Sequence, residues 1–166
     1  MKKAKPFDLI MFDWNGTLSS GLLAQEPIDS GKVTALFPGV IEVLRHLKYR
    51  GIKIGVATAA SRFEMESEIF SQHLEALFDC IYTLNDGPTK PDPFALLEAM
   101  HQFSIAPEKT LMVGDTRRDM QMAKSAGVTG LGVSYGLHDQ AELLAAGATQ
   151  VVSNLSELAA FLDQFQ

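Results

Sequence analysis

Short apolar runs alternate with amphipathic helical segments along almost the whole chain of 166 residues, and this alternation limits the fold more than any other feature. Runs this short and this apolar are typical of strands that are buried on both faces, as in a parallel sheet. The pattern therefore predicts an α/β fold: a three-layer, Rossmann-like domain with a mainly parallel sheet covered by helices on both faces. The predicted strands lie at 9–12, 52–58, 80–84, 110–113, 128–133 and 151–152.

Local signals mark the ends of several predicted helices. Capping-box pairs, in which a short polar side chain precedes an acidic one by three positions, occur at Ser61–Glu64 and at Asp139–Glu142. The pair Asp92-Pro93 predicts an N-cap followed by a proline in the first helical position. We expect further helices from about residue 40 to residue 50, from the GDTRRD segment to Gly127, and from 155 to 165.

Composition and charge exclude several classes of function. The net charge of −6 opposes binding of nucleic acid, which normally needs a basic face. No apolar stretch is long enough for a signal-peptide core or for a membrane span, so a cytoplasmic protein without a membrane partner is expected. The one cysteine, Cys80, excludes an internal disulfide and is interpreted as a buried structural thiol.

Polar side chains follow the predicted strands at the points where the strands end. Asp13 follows the first strand, Thr58 ends the second, Lys90 lies in the loop after the third, and Asp115 follows the fourth. Open α/β sheets bind ligands at this edge. Each residue also has an ordinary structural interpretation, such as a turn, a helix cap, a first-turn acid or a solvated surface lysine.

Four motifs occur in an order that resembles the haloacid dehalogenase-like hydrolases: FDWNGTL, the threonine of IKIGVAT, the lysine of TKPDPF, and GDTRRD. The resemblance extends from about residue 8 to residue 162. The segments GVSYG and LLAAGA resemble the phosphoglycolate phosphatase-like branch. Too few residues separate Asp13 from Thr58 for a folded lid, so the chain is identified as a capless or minimally capped member. We expect one domain, 1–166, with 19–37 as a small flap or linker in place of a cap.

The resemblance implies a Mg²⁺-dependent phosphomonoester hydrolase that acts through an aspartyl-phosphate on a small phosphorylated metabolite. Asp13 would attack phosphorus and also bind the Mg²⁺ ion. Asn15, through its backbone carbonyl, and Asp115, through its carboxylate, would be the other protein ligands of the ion. An ion with few protein carboxylates, its other positions filled by water and phosphate, is the usual arrangement for magnesium.

The same resemblance implies which groups hold the phosphate. The backbone of Trp14 and of Ala59, the Thr58 hydroxyl and the Lys90 ammonium would bind its oxygens. Asp119 would support this set by steering Lys90 or the metal-bound waters. The ring of Trp14 is expected either to pack in the core or to lie at the substrate rim.

One departure from the family pattern bears on catalysis: Asn15 stands where the family has its second aspartate. An amide donates a hydrogen bond but cannot transfer a proton, and losing a positioned acid/base group typically costs on the order of 10²–10⁴ in rate. Binding should therefore survive better than turnover. The asparagine is open to three explanations: a natural slow enzyme or binding relative, an engineered change, or a labile Asn-Gly pair whose hydrolysis restores aspartate.

Two classes of function follow from these residues. The first is a phosphatase slowed by Asn15, and the second is a catalytically weak phosphate-ligand-binding or regulatory protein. Dehalogenase chemistry is a lesser alternative, because the lysine and the two metal-binding acids point to phosphate. The sequence identifies neither the phosphate ester nor the oligomeric state, although some capless relatives cover the site with a neighbouring subunit.

Overall fold

The computed structural model describes residues 6–20, 36–71 and 73–164 of the chain. Within these residues, six parallel strands form one sheet in the order β3-β2-β1-β4-β5-β6. The strands are β1 (Leu9–Phe12), β2 (Lys53–Ala57), β3 (Cys80–Tyr82), β4 (Thr110–Gly114), β5 (Thr129–Val133) and β6 (Gln150–Val152). The helices are α1 (Val40–Tyr49), α2 (Arg62–Ser71), α3 (Phe94–Phe103), α4 (Arg117–Ala126), α5 (Gln140–Ala145) and α6 (Leu155–Asp163). The predicted α/β, Rossmann-like class and its parallel sheet are confirmed.

Two apolar cores lie on opposite faces of the sheet because successive side chains of a strand point to opposite sides. In β1, Ile10 and Phe12 belong to one core, which includes Leu44 of α1 and Leu158 of α6. Leu9 and Met11 belong to the other, which includes Leu96 of α3 and Met122 of α4. All four residues of β1 are buried, which explains why its sequence is apolar without alternation.

The helix starts agree with the sequence signals in two cases and differ in one. Reciprocal hydrogen bonds join Ser61 with Glu64 and Asp139 with Glu142, as predicted. The helix after Asp92, however, begins at Phe94, with Pro93 as its N-cap residue. Proline has no N–H, so the Asp92 carboxylate accepts its hydrogen bond from the backbone N–H of Phe94, at 2.9 Å.

The predicted flap at 19–37 is described only at its two ends, and residues 21–35 lie outside the described part of the chain. Ser19 pairs with Leu36 in an isolated antiparallel bridge. The backbone N–H of Phe37 donates to the carbonyl of Leu18, at 3.0 Å. These contacts anchor both ends beside the loop that follows β1.

The structure also bears on the sequence predictions for Cys80 and for membrane-spanning segments. Cys80 is half-buried, and burial, with a smaller effect of the Asp79 charge, raises its pKa to about 12. A thiol with that pKa stays protonated near neutrality and is a poor nucleophile, in agreement with a structural role. Among the helices that the structure describes, none has the length and apolarity needed to cross a membrane.

Candidate active site

Asp13 and Asp115 emerge side by side because β1 and β4 are adjacent and parallel. Phe12 lies opposite Val113 in the ladder. Asp13 directly follows Phe12, and Asp115 lies two residues after Val113, so both aspartates come just after their strands end. The backbone N–H of Asp13 donates to the carbonyl of Val113, at 2.9 Å, and continues the ladder by one hydrogen bond. Both carboxylates are thus held at the C-terminal edge of the sheet, at its centre.

Lys90 bridges two carboxylates at this edge. Its Nζ lies 2.5 Å from Oδ1 of Asp13 and 2.7 Å from Oδ1 of Asp119, and its side chain is 9% exposed. Burial alone would lower the pKa of Lys90, but the charges of the two aspartates outweigh burial and raise it. Lys90 is therefore a charged, paired group at the site and not a solvated surface lysine.

Asp119 combines a structural contact with the ion pair. It lies three residues after Thr116, the N-cap of α4, and the two side chains form a reciprocal capping box. Oδ2 of Asp119 accepts from the backbone N–H of Thr116 at 3.1 Å and from its hydroxyl at 2.9 Å. The other oxygen of Asp119 faces Lys90. The helix cap thus fixes the carboxylate that holds the lysine.

Asp115 is not the helix cap and has other partners on both carboxylate oxygens. Oδ1 accepts a hydrogen bond from the hydroxyl of Thr17 at 3.1 Å, and Oδ2 accepts one from the backbone N–H of Leu137 at 2.9 Å. The Asp115 residue is 2% exposed. Since these donors come from the loops after β1 and β5, the orientation of Asp115 depends on three strands at once.

Two glycines allow this close approach of the loops. Gly16 has a φ of +86°, and a Cβ at this position would overlap the carboxylate of Asp115. A Cβ on Gly136 would overlap both Asp115 and the backbone carbonyl of Gly16. Gly16 lies in the motif FDWNGTL and Gly136 in GVSYG, but neither glycine was predicted from the sequence to be part of the site.

Several backbone amides of the loop after β1 donate hydrogen bonds to the same carbonyl group. The carbonyl of Trp14 accepts from the amides of Thr17, Leu18 and Ser19 at 3.0–3.2 Å. From outside this turn, the hydroxyl of Tyr135 donates to the carbonyl of Thr17, at 2.7 Å. Burial raises the pKa of Tyr135, and the nearby Asp115 charge adds to the rise, so the hydroxyl stays protonated and remains a donor. Neither Thr17 nor Tyr135 was singled out from the sequence.

The remaining predicted residues lie at the same edge with different exposures. The Trp14 side chain is fully buried, packs edge-on against Phe78, and donates from its indole N–H to the Glu68 carboxylate. Its ring is therefore a packing element and not part of a substrate rim. Asn15 is exposed.

Thr58 and Ala59 follow β2 at this edge, next to β1 in the sheet. Thr58 is buried, and Ala59 is exposed. Oγ1 of Thr58 accepts from the backbone N–H of Ala60 at 3.1 Å. Because a hydroxyl has one hydrogen to donate and uses its oxygen here as an acceptor, its own donor remains for another partner.

Three buried carboxylates form a potential cation site. Asp13, Asp115 and Asp119 each offer one oxygen, and these oxygens lie within 4.8 Å of one another. Burial raises the pKa of Asp13 to about 6; the Lys90 ammonium opposes this shift and the Asp115 carboxylate adds to it. Three carboxylates beside one ammonium leave an excess of negative charge in a buried site. Hard oxygen donors with excess negative charge fit a small divalent cation such as Mg²⁺.

Comparison with known proteins finds relatives along most of this chain. It is 34% identical to phosphoglycolate phosphatase 1 of Pseudomonas aeruginosa over 82% of the chain, and 33% identical to the pyrophosphatase PpaX of Bacillus mycoides over 75%. The matched regions cover 50% and 59% of those two proteins, so the chain spans about half the length of these curated relatives.

Solved structures agree at the level of the fold. A HAD-superfamily hydrolase from Ehrlichia chaffeensis superposes with a TM-score of 0.78 at 20% identity, over 98% of each chain. The sequence profile described as haloacid dehalogenase-like hydrolase matches residues 24–133, which include Thr58, Lys90, Asp115 and Asp119. The fold, the relatives and the profile agree, and the chain belongs to the haloacid dehalogenase-like hydrolases.

Proposed function

We propose that this protein hydrolyses a small phosphate monoester, with Asp13 as the nucleophile and Mg²⁺ as the cofactor. One observation carries the proposal: a single buried ammonium, Lys90, bridges Asp13 and Asp119 beside the carboxylate of Asp115. A structural ion pair needs only one acid. Three acids and one lysine at the C-terminal edge of a parallel sheet instead provide a nucleophile and charges that complement a phosphate and a cation.

The cation would be held by the carboxylates of Asp13 and Asp115, with the backbone carbonyl of Asn15 as a third ligand. When bound, Mg²⁺ supplies positive charge that offsets the repulsion between these carboxylates and a phosphate dianion. The hydrogen bonds from Thr17 and Leu137 fix both oxygens of Asp115, so this ligand is oriented before the cation arrives.

Lys90 and Thr58 would hold the phosphate together with the backbone N–H groups of Trp14 and Ala59. Two contacts of the Lys90 ammonium are to Asp13 and Asp119, and an ammonium has three hydrogens. The third hydrogen is available to a phosphate oxygen. The Thr58 hydroxyl, which accepts from Ala60, can donate to a second one.

In the first chemical step, a carboxylate oxygen of Asp13 bonds to phosphorus while the bond between phosphorus and the ester oxygen breaks. The departing oxygen takes up a proton. In the second step, water attacks phosphorus and loses a proton while the bond between phosphorus and the Asp13 oxygen breaks, so inorganic phosphate leaves and the Asp13 carboxylate is restored. Asn15 is exposed and follows Asp13 by two residues, at the motif position where a carboxyl group would serve both proton transfers. We propose that its amide slows both steps and leaves binding largely intact.

A second candidate function follows from the same residue. If turnover is negligible with Asn15 in place, the protein is a phosphate-ligand-binding or regulatory member of the family that kept the cation and phosphate groups. Its partner would still be a small phosphorylated molecule. The names of the relatives suggest 2-phosphoglycolate and pyrophosphate as the first compounds to test.

The deciding experiment compares the protein with Asn15→Asp on an aryl ester, p-nitrophenyl phosphate, and on an alkyl ester, 2-phosphoglycolate. We expect Asn15→Asp to raise the Mg²⁺-dependent rate by roughly 10²-fold or more on the alkyl ester. The gain on p-nitrophenyl phosphate should be smaller in the first step, because p-nitrophenolate departs without protonation.

The matched control is Asp13→Asn in the Asn15→Asp background, which should abolish turnover while the protein stays folded by circular dichroism. Activity that survives this control would show that Asp13 is not the nucleophile. Equal, negligible rates of both proteins on both esters, with Mg²⁺ shown to bind by calorimetry, would leave the binding function as the conclusion.

A further inference from the structure

Tyr135, on the loop after β5, makes a contact that the proposed phosphatase chemistry does not itself require. Its hydroxyl donates to the backbone carbonyl of Thr17 at 2.7 Å, and Thr17 is fully buried. The hydroxyl of the same threonine donates to Oδ1 of Asp115 at 3.1 Å. A chain of two hydrogen bonds therefore leads from Tyr135 to a carboxylate of the candidate cation site.

The two residues that follow Tyr135 also contact Asp115. Leu137, two residues later, donates its N–H to Oδ2 of Asp115 at 2.9 Å. Gly136, between them, lies so close to Asp115 and to the carbonyl of Gly16 that no side chain fits. The loop after β5 is thus fastened to the loop after β1 at a point where both touch Asp115.

We infer that Tyr135 is a positioning residue for the cation site: by holding the carbonyl of Thr17, it fixes the threonine hydroxyl that orients Asp115. This inference rests on the proposed Mg²⁺ site. Groups that orient a metal ligand from outside the ligand set typically change metal affinity by about 10-fold to 100-fold when they are removed.

Phe37 makes a further contact with Tyr135. The rings of Phe37 and Tyr135 pack edge to face with centroids 5.0 Å apart. The backbone N–H of Phe37 also donates a hydrogen bond to the carbonyl of Leu18, next to Thr17. Phe37 therefore contacts the same tyrosine that holds the loop after β1.

The test is calorimetric titration of the full chain with MgCl₂ alone, without substrate. We expect Tyr135→Phe, which removes only the hydroxyl, to weaken Mg²⁺ binding by about 10-fold. The matched control is Tyr82→Phe, whose hydroxyl is also hydrogen-bonded, at 2.9 Å, but to the exposed Gln102. This control should bind Mg²⁺ like the wild type.

A double-mutant cycle separates positioning from a general loss of stability. If Tyr135 acts through the threonine hydroxyl, Tyr135→Phe should have little further effect in a Thr17→Val background, so the two changes are not additive. Thr17→Ser keeps the hydroxyl and should restore binding relative to Thr17→Val. This serine and valine pair also tests the hydrogen bond to Asp115 if Tyr135→Phe does not fold.

The outcomes distinguish this inference from the proposed function. Wild-type affinity in Tyr135→Phe, or fully additive effects in the cycle, would overturn the positioning role while the cation site stands. No difference between Thr17→Val and Thr17→Ser would overturn it as well. Absence of Mg²⁺ binding by the wild-type protein would overturn both the site and the role of Tyr135.

Discussion

Two glycines from different loops lie against the side chain of Asp115, and this close packing predicts the effect of a single substitution. In Gly136→Ala the new methyl group would meet the Asp115 side chain and the carbonyl of Gly16. Backbone atoms cannot move aside cheaply, so we expect a loss of about 1–3 kcal/mol in the free energy of unfolding. Because Asp115 must shift, calorimetry with MgCl₂ should also show affinity reduced by about 10-fold.

Gly127→Ala is the matched control for Gly136→Ala. Gly127 has a φ of +71° at the end of α4, and a Cβ there would meet no atom within 4 Å. The left-handed backbone should cost roughly 1–2 kcal/mol of stability, with no change in Mg²⁺ affinity. Equal Mg²⁺ affinity in the two alanine variants would contradict the role assigned to Gly136.

At the scale of the element, the first turn of α4 links helix stability to the charges of the candidate site. Thr116 caps the helix and donates its hydroxyl to Oδ2 of Asp119, whose other oxygen faces Lys90. Thr116→Ala should cost about 0.5–2 kcal/mol of stability, as a lost N-cap does. It should also lower the turnover number measured in the Asn15→Asp background, because Asp119 loses the group that orients it.

A cap on another helix separates these two effects. Asn154 caps α6 through a hydrogen bond of 2.8 Å from the backbone N–H of Glu157. We expect Asn154→Ala to lose similar stability in thermal unfolding without a change in turnover, and Thr116→Ser to recover both properties. Identical kinetics for Thr116→Ala and its parent would show that the cap does not act on catalysis.

For the whole molecule, the order of strands predicts where the sheet opens first. β1 and β4 lie at the centre, each with a neighbouring strand on both sides, whereas β3 and β6 are the edges. Native-state hydrogen exchange should therefore show the slowest amides in β1 and β4 and faster exchange in β3 and β6. Protection of β6 equal to that of β1 would contradict this order. Since Asp13 and Asp115 follow the two central strands, we expect the site to be anchored to the part of the sheet that exchanges most slowly.

Local pattern was enough to predict the elements and most of the candidate site. Period and apolarity are properties of neighbouring residues, so β1 and the alternation of strands and helices could be predicted directly. The edge on which Asp13, Thr58 and Asp115 lie follows from parallel strands alone. Lys90 was predicted from the family motifs, because no local sequence pattern marks its position in the loop. The start of α3 at Phe94 was missed by one residue, because a proline N-cap shifts the first available N–H.

Three features follow from the sequence alone: the α/β class, the parallel sheet, and the charged residues that meet at the ends of the strands. The orientation of Asp115, in contrast, depends on the folded arrangement of three strands, since its partners Thr17 and Leu137 are distant from it in sequence. The same is true of the Tyr135 contact with Thr17, and of the burial of Trp14 against Phe78. The physical reason is that hydrogen bonds between loops depend on sheet order and on close backbone approach, which no local period encodes.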